Sequence, residues 1–241
     1  MLSLGSGIPA CKYLTWLTNS ISGKRMKETI KGVIFDLDGV LVDTACLHYE
    51  AWKKIADKLN ISFSEKDNEK LKGVSRKDSL DIILSQGTEY FSEGEKSQLL
   101  LNKNNDYLTL VNQINKNDVL GGVVKLIEEL KCKGMKISLG SASKNARLIL
   151  ELTGLYHYFD YIVDGNMVVK AKPAPDVFLM GAELLGLSPS ECLVFEDAQS
   201  GVQAALAAGM KVVGVGEYAL LHQATFVVPN LIGFSIEDYI K

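Results

Sequence analysis

The stretch Lys31 to Thr44, KGVIFDLDGVLVDT, constrains the fold more than any other part of the chain. A β-prone apolar run, Val33-Ile34-Phe35, delivers two carboxylates, Asp36 and Asp38, and Gly39 then frees the backbone to turn. A strand this apolar is expected to be buried. Two acids at its end are costly to keep ionised unless a cation or a hydrogen-bond network compensates them. Taken alone, an Asp-x-Asp pair reads most simply as a strand running out into an acidic turn. The remainder of the chain decides between that reading and a site.

After Thr44 the pattern turns helical. Leu47, Ala51, Trp52, Ile55, Ala56 and Leu59 recur at helical spacing and predict an amphipathic helix closing near Asn60. Further helices are expected around Ser79 to Gln86 and Glu93 to Leu110, with the polar stretch Ser62 to Gly73 lying between the first helix and these. From Val119 onward the texture alternates. A helix opened by Gly121-Gly122 runs through Leu130, and Met135 to Leu139 is a strand ending in Gly140-Ser141-Ala142-Ser143. A helix from Asn145 to Leu152 stops at Gly154, and Tyr161-Ile162-Val163 is a brief strand. Pro173 and Pro175 introduce a helix through Leu185, Leu193-Val194-Phe195 is a buried strand ending in Glu196-Asp197, and helix Gly201 to Ala208 precedes strand Val212 to Val215.

Strands alternating with helices imply parallel βαβ units, and in such sheets ligands bind beyond the carboxyl ends of the strands. The fold class expected is therefore α/β, a Rossmann-like doubly wound parallel sheet. The helical block follows the first strand directly, so it must sit above that same sheet edge as an inserted all-helical cap. The expected division is a discontinuous core of residues 26–43 and 112–241, a cap of residues 44–111, and an N-terminal extension of residues 1–25. Leu2 to Ser22 is moderately apolar but lacks the basic start and compact apolar centre of a signal peptide, and Met26 stands just before the first strand. The leader therefore stays outside the fold argument.

Composition serves mainly to exclude. A net charge of -3 gives no electrostatic reason to expect a nucleic-acid or membrane partner, and no apolar run reaches the roughly 18 residues of a membrane span. Cys11, Cys46, Cys132 and Cys192 are scattered without CxxC spacing, away from the three histidines, so neither a zinc site nor a disulfide framework is suggested. Free thiols fit a reducing cytosol, and the expectation is a cytoplasmic monomer.

Three strand ends carry chemistry: Asp36 with Asp38, Ser141 with Ser143, and Glu196 with Asp197. A carboxylate attacking a phosphate meets repulsion, which Mg2+ relieves by binding both groups; Asp36, Glu196 and Asp197 together supply a pocket of that kind. One of the first two acids can then form an aspartyl phosphate while the other moves the proton of a sugar hydroxyl. Ser141 with the amides of Ala142 and Ser143 at a helix start forms an anion site, and Lys172 adds a point charge. Singly, Ser143 reads as a helix N-cap and Lys172 as a solvated loop lysine beside Lys170. Their occurrence in order at successive strand ends favours the site.

DLDGVLVDT, SASKN, KPAPD and FEDAQSG, in this order, resemble the four signature motifs of the haloacid dehalogenase superfamily of phosphotransferases, and the similarity covers roughly Lys31 to Tyr239. Within it, SASKN and the cap stretch LKGVSRKDSL, residues 71–80, resemble the β-phosphoglucomutase branch. The resemblance implies Asp36 as nucleophile, Asp38 as general acid/base, and Mg2+ held by Asp36, the Asp38 backbone carbonyl, Glu196 and Asp197. It implies Thr44, His48, Trp52, Lys72, Gly73, Val74 and Lys103 on the cap side of the substrate site. Arg76, Ser143, Lys144 and Asn145 would hold the phosphate not being transferred, and Ser141, Ala142 and Lys172 the one in transfer. Ala198 departs from the pattern, because it has no hydroxyl to offer a metal or its water. The activity implied is Mg2+-dependent interconversion of a β-sugar 1-phosphate and a sugar 6-phosphate, through a bisphosphate. The rival expectations are a sugar-phosphate phosphatase of the same superfamily and a catalytically silent sugar-phosphate-binding relative.

Overall fold

The computed structural model describes residues 29–239. The expected extension, residues 1–25, and Met26 lie outside them. Strand β1 (Gly32–Phe35) is buried along its whole length because a parallel strand pairs with each of its edges. Val33 aligns with Ile137 of β2 (Lys136–Gly140) on one side and with Leu193 of β4 (Cys192–Glu196) on the other. Beyond these lie β3 (Tyr161–Val163), β5 (Lys211–Val215) and β6 (Phe226–Val228), giving the order β3-β2-β1-β4-β5-β6 among the described residues. The winding reverses between β1 and β4, the place where a doubly wound sheet opens a crevice at its carboxyl edge.

Alternation along each strand sends side chains to two faces. Val33, Phe35, Ile137, Leu139 and Phe195 pack on one face with α5 (Val123–Cys132) and α6 (Ala146–Leu152). Ile34, Val194 and Val212 pack on the other with α7 (Asp176–Leu185) and α8 (Gln199–Ala207). At the reversal Phe35 stacks on Phe195, with ring centroids 4.9 Å apart.

Between β1 and β2 the chain builds α1 (Ala45–Lys58), α2 (Glu65–Glu69), α3 (Arg76–Leu84) and α4 (Glu93–Val111). These carry a hydrophobic core of their own around Trp52, Ile55, Phe63, Leu80 and Ile83. They form the inserted helical cap. Its two connections to the sheet run side by side: Val42 bridges Val119 antiparallel, and the Leu120 amide donates to the Leu41 carbonyl at 2.9 Å.

The structure departs from the sequence expectations at three places. Helix α2 lies in the stretch taken as merely polar, held by a capping box in which Ser64 and Asp67 bond each other's amides. Helix α3 starts at Arg76 rather than Ser79 because the Ser75 hydroxyl accepts from the Asp78 amide at 3.1 Å. A short helix α9 (Tyr218–Leu221) and edge strand β6 follow β5, where no element was expected. No helix among the described residues is long and apolar enough to cross a membrane, and Cys46, Cys132 and Cys192 are free thiols.

Candidate active site

The Asp36 amide continues the ladder of β1 by donating to the Phe195 carbonyl at 2.9 Å, which fixes its carboxylate at the strand end. The chain then turns sharply, with the Leu41 amide on the Leu37 carbonyl and the Gly39 amide on the Val42 carbonyl, both at 2.9 Å. Gly39 has φ +81, and any Cβ there would collide with the Asp197 carboxylate. Only glycine lets the two acidic strand ends approach this closely.

Lys172 enters from the loop before α7. It is buried, not the solvated lysine of the simpler reading, and lies over the Phe178 ring at 4.7 Å. Its Nζ donates to Asp36 Oδ1 at 2.5 Å and to Glu196 Oε2 at 3.1 Å. Burial by itself would lower the Lys172 pKa, but the charges of Asp36 and Glu196 hold it above its ordinary value. Burial, reinforced by the charge of Asp36, pushes Glu196 well up and Asp197 to about 7. The same two causes raise Asp38 to about 6, opposed by a hydrogen bond from the Thr44 hydroxyl to Asp38 Oδ1 and by the charges of Lys172 and Lys103. This is a group of acids short of positive charge.

One carboxylate oxygen each from Asp36, Glu196 and Asp197 lie within 4.8 Å of one another. Hard oxygen donors in an electron-rich cluster fit a hard divalent cation, and the chemistry suits Mg2+ better than a softer metal. Ala198 contributes an amide instead of a hydroxyl, donating to Glu196 Oε1 at 3.3 Å.

The raised acids have a thermodynamic consequence. Asp38 and Asp197 keep their protons in the folded state at pH values where the unfolded chain has released them, so the unfolded state binds fewer protons and stability falls as pH rises. In chelator, the melting temperature is expected to decline from about pH 4 to about pH 7, and saturating Mg2+ should flatten the decline, since a bound cation supplies the missing charge. Thermal melts across pH with and without Mg2+ check this. A melting temperature rising over that range in chelator would contradict the assignment.

The cap closes the other side. Lys72 Nζ is shared between Glu69 of the cap at 3.0 Å and Asp197 of the core at 3.4 Å, while the Ser200 hydroxyl donates to the Lys72 carbonyl at 3.0 Å. Lys103 is buried, 3.0 Å from His48 Nδ1, and lies over the rings of Trp52 at 4.8 Å and Tyr107 at 4.4 Å. Burial, then the nearby Arg76, brings Lys103 to about 7. Burial, then Lys103 and Arg76, takes His48 well below its ordinary value, so His48 is neutral. His48, expected on the cap side of the substrate site, has Lys103 as its direct partner.

Between cap and core lies a cavity of about 490 Å³. Asp36, Asp38, His48, Trp52, Lys72, Gly73, Val74, Arg76, Lys103, Ala142, Ser143, Lys144 and Asp197 line it. Thr44, Ser141, Asn145, Lys172 and Glu196 are not among the lining residues.

One expectation for the second strand-end loop, and the simpler reading set against it, need correction. The Ser143 amide is not available to an anion, because it donates to Ser141 Oγ at 3.0 Å. Nor is Ser143 the N-cap of α6: that position is Asn145, whose amide donates to Ser143 Oγ at 3.3 Å and whose Nδ2 reaches Asn104 Oδ1 of the cap at 3.1 Å. Sequence reasoning also missed Asn68, Ser79, Leu100, Gly165, Val168, Val169 and Ala171 in the lining. The last four follow the end of β3, and position after a strand end was the one signal that could have flagged them.

A family model described as haloacid dehalogenase-like hydrolase matches residues 33–215. The chain is 42% identical over 211 residues to a β-phosphoglucomutase of Bacillus subtilis, covering 86% of this chain and 93% of that one. A crystal structure of β-phosphoglucomutase from Clostridium difficile superposes with a TM-score of 0.84 at 44% identity, covering 87% of this chain and 95% of that one. A fructose-1-phosphate phosphatase of Escherichia coli is 33% identical over 199 residues, 79% of this chain and 98% of its own. Matches that run through sheet and cap alike, over most of each partner's length, establish that the chain belongs to the haloacid dehalogenase-like hydrolase family.

Proposed function

We propose that the chain is a Mg2+-dependent β-phosphoglucomutase that interconverts β-D-glucose 1-phosphate and D-glucose 6-phosphate through enzyme-bound β-glucose 1,6-bisphosphate. The observation that carries this reading is one cavity lined both by the Asp36–Asp38 pair and by a second set of side chains of the kind that can bind a phosphate, Arg76, Ser143 and Lys144. A hydrolase needs to grip one phosphate; a mutase must hold a bisphosphate by both ends. Arg76 suits the end not in transfer, since its planar fork can grip a phosphate in two directions. The two β-phosphoglucomutases at 42% and 44% identity support the same choice.

Asp36, Glu196 and Asp197, with the Asp38 backbone carbonyl, would hold Mg2+, whose contribution when bound is to screen the repulsion between the Asp36 carboxylate and the phosphoryl oxygens. The chain's own residues divide the remaining work. An Asp36 carboxylate oxygen attacks phosphorus, forming the aspartyl phosphate as the bond from phosphorus to the sugar oxygen breaks. Asp38, raised to about 6, gives its proton to that leaving oxygen and takes one from the opposite hydroxyl in the return step. The Thr44 hydroxyl orients Asp38. Lys172 stays charged and offsets the Asp36 carboxylate. The Lys72 contacts to Asp197 and Ser200 hold the cap against the core, which keeps water from the aspartyl phosphate.

Phosphorus NMR decides between mutase and phosphatase. With β-glucose 1-phosphate, Mg2+ and a trace of the bisphosphate, the glucose 6-phosphate resonance should grow at the expense of substrate, with little free phosphate. Free phosphate as the main product would favour the phosphatase reading, and unchanged spectra the silent relative.

A further inference from the structure

Strand β3 is followed by Asp164-Gly165-Asn166, a turn to which the reaction scheme assigns no part. Three main-chain or side-chain bonds tie this end of β3 to the loop 141–145. The Ser141 amide donates to the Val163 carbonyl at 3.0 Å, the Gly165 amide to the Ser143 carbonyl at 3.2 Å, and Asn166 Nδ2 to the Lys144 carbonyl at 3.1 Å. The turn is itself anchored. Asp164 is 3% exposed, its Oδ1 accepts from the Asn166 amide at 2.9 Å, and its Oδ2 accepts from Arg147 Nε at 3.2 Å. Arg147 also reaches the Ile162 carbonyl at 3.2 Å, so α6 and β3 are joined through the same carboxylate. Gly165 packs so tightly on loop 141–145 that a Cβ would overlap the Ala142 carbonyl oxygen.

Resting on the reading of loop 141–145 as a phosphate-binding loop, we propose that Asp164-Gly165-Asn166 is its positioning clamp, and that Asn166 sets the affinity for the phosphate not in transfer. A carbonyl oxygen left without a donor beside an anion pocket presents negative charge to its own ligand. Here the turn supplies a donor to both the Ser143 and the Lys144 carbonyls, so the walls contributed by Ser143 and Lys144 repel a phosphate less. None of the three residues need touch substrate. Buried Asp164 fixes where the turn lies, glycine at 165 sets how close it comes, and the Asn166 amide holds the loop's outer end.

The test uses the full chain carrying Asn166→Ala. Asn166 is exposed, so the fold should survive its truncation. Calorimetric affinity for glucose 6-phosphate should weaken roughly five-fold, as expected for one net hydrogen bond, with KM rising in parallel while kcat and the melting temperature stay near those of the parent. Gly165→Ala should weaken binding further, because it must displace the Ala142 carbonyl. Parental affinity in Asn166→Ala would overturn the clamp, as would a loss of affinity accompanied by equal falls in kcat and melting temperature. The mutase reading is judged separately, on the parent: release of free phosphate as main product would overturn that reading, while the affinity ratio would still report on the clamp.

Discussion

An Asp36→Asn variant is expected to lose about 10⁴-fold or more in kcat, the scale seen when a covalent nucleophile is removed from a site whose other parts cannot substitute for it. The change is nearly isosteric and leaves an oxygen for Lys172 Nζ, so the fold and the cap contacts should persist. Binding of glucose 6-phosphate should therefore remain measurable by calorimetry while phosphorus NMR shows no interconversion. Asp38→Asn should also be slow, but for another reason: it leaves the nucleophile intact and removes the proton carrier. An activated donor such as acetyl phosphate, whose leaving carboxylate needs no proton, should still phosphorylate the Asp38 variant but not the Asp36 variant, which has no nucleophile. Turnover near the parental rate in Asp36→Asn would refute the nucleophile.

The second large effect falls on stability. Lys172 is the cation between Asp36 and Glu196, and the Lys172 and Glu196 side chains have no exposed surface. Removing one partner of a buried ion pair typically costs about 3–5 kcal/mol, because the other charge is left uncompensated. Lys172→Met should lose that much at about pH 8 in chelator, a fall of roughly 10 °C in melting temperature for a chain of this size. Near pH 5 the loss should shrink, since burial already favours the protonated forms of Glu196 and Asp197 and a neutral carboxyl does not need the ammonium. Urea unfolding of parent and variant at both pH values measures the difference. An equal loss at the two would show that packing on Phe178, rather than charge, is what the variant gives up.

The core of the molecule was legible because its signals are local. Val33-Ile34-Phe35 and Leu193-Val194-Phe195 are short apolar runs with acids at their ends, and the order of motifs along the chain maps directly onto successive strand ends of a doubly wound sheet. Elements without an apolar stripe were not legible. Helix α2, EKDNE, is held by its capping box and presents no periodicity, and β6 has three residues at the sheet edge, too few to show alternation.

Lys103, which the family resemblance places at the site, shows what its local neighbours alone do not reveal. In LNKNNDYL it has the neighbours of a solvated helix-surface lysine, and only folding places it between Trp52 and Tyr107. The Ser143 amide was misjudged for a related reason: whether a loop amide is available depends on which hydroxyl reaches it first, and Ser141 lies within reach only once β2 has ended. The turn DGN after β3 reads as an ordinary reversal, because its partners are carbonyls from a loop more than 15 residues away.

The paired crossing at Val42 and Val119 has a consequence for how such molecules diversify. Because the cap leaves the sheet and returns to it through neighbouring, mutually bonded segments, it is a cassette: the two ends of the insert are already adjacent, and no sheet hydrogen bond depends on what lies between them. Exchange of the whole insert between relatives at these two points would leave the pairing of β1 undisturbed while replacing the cap-side wall of the cavity. Such an exchange would have to keep Thr44 and Lys72, the two residues of the insert that reach the acids of the core.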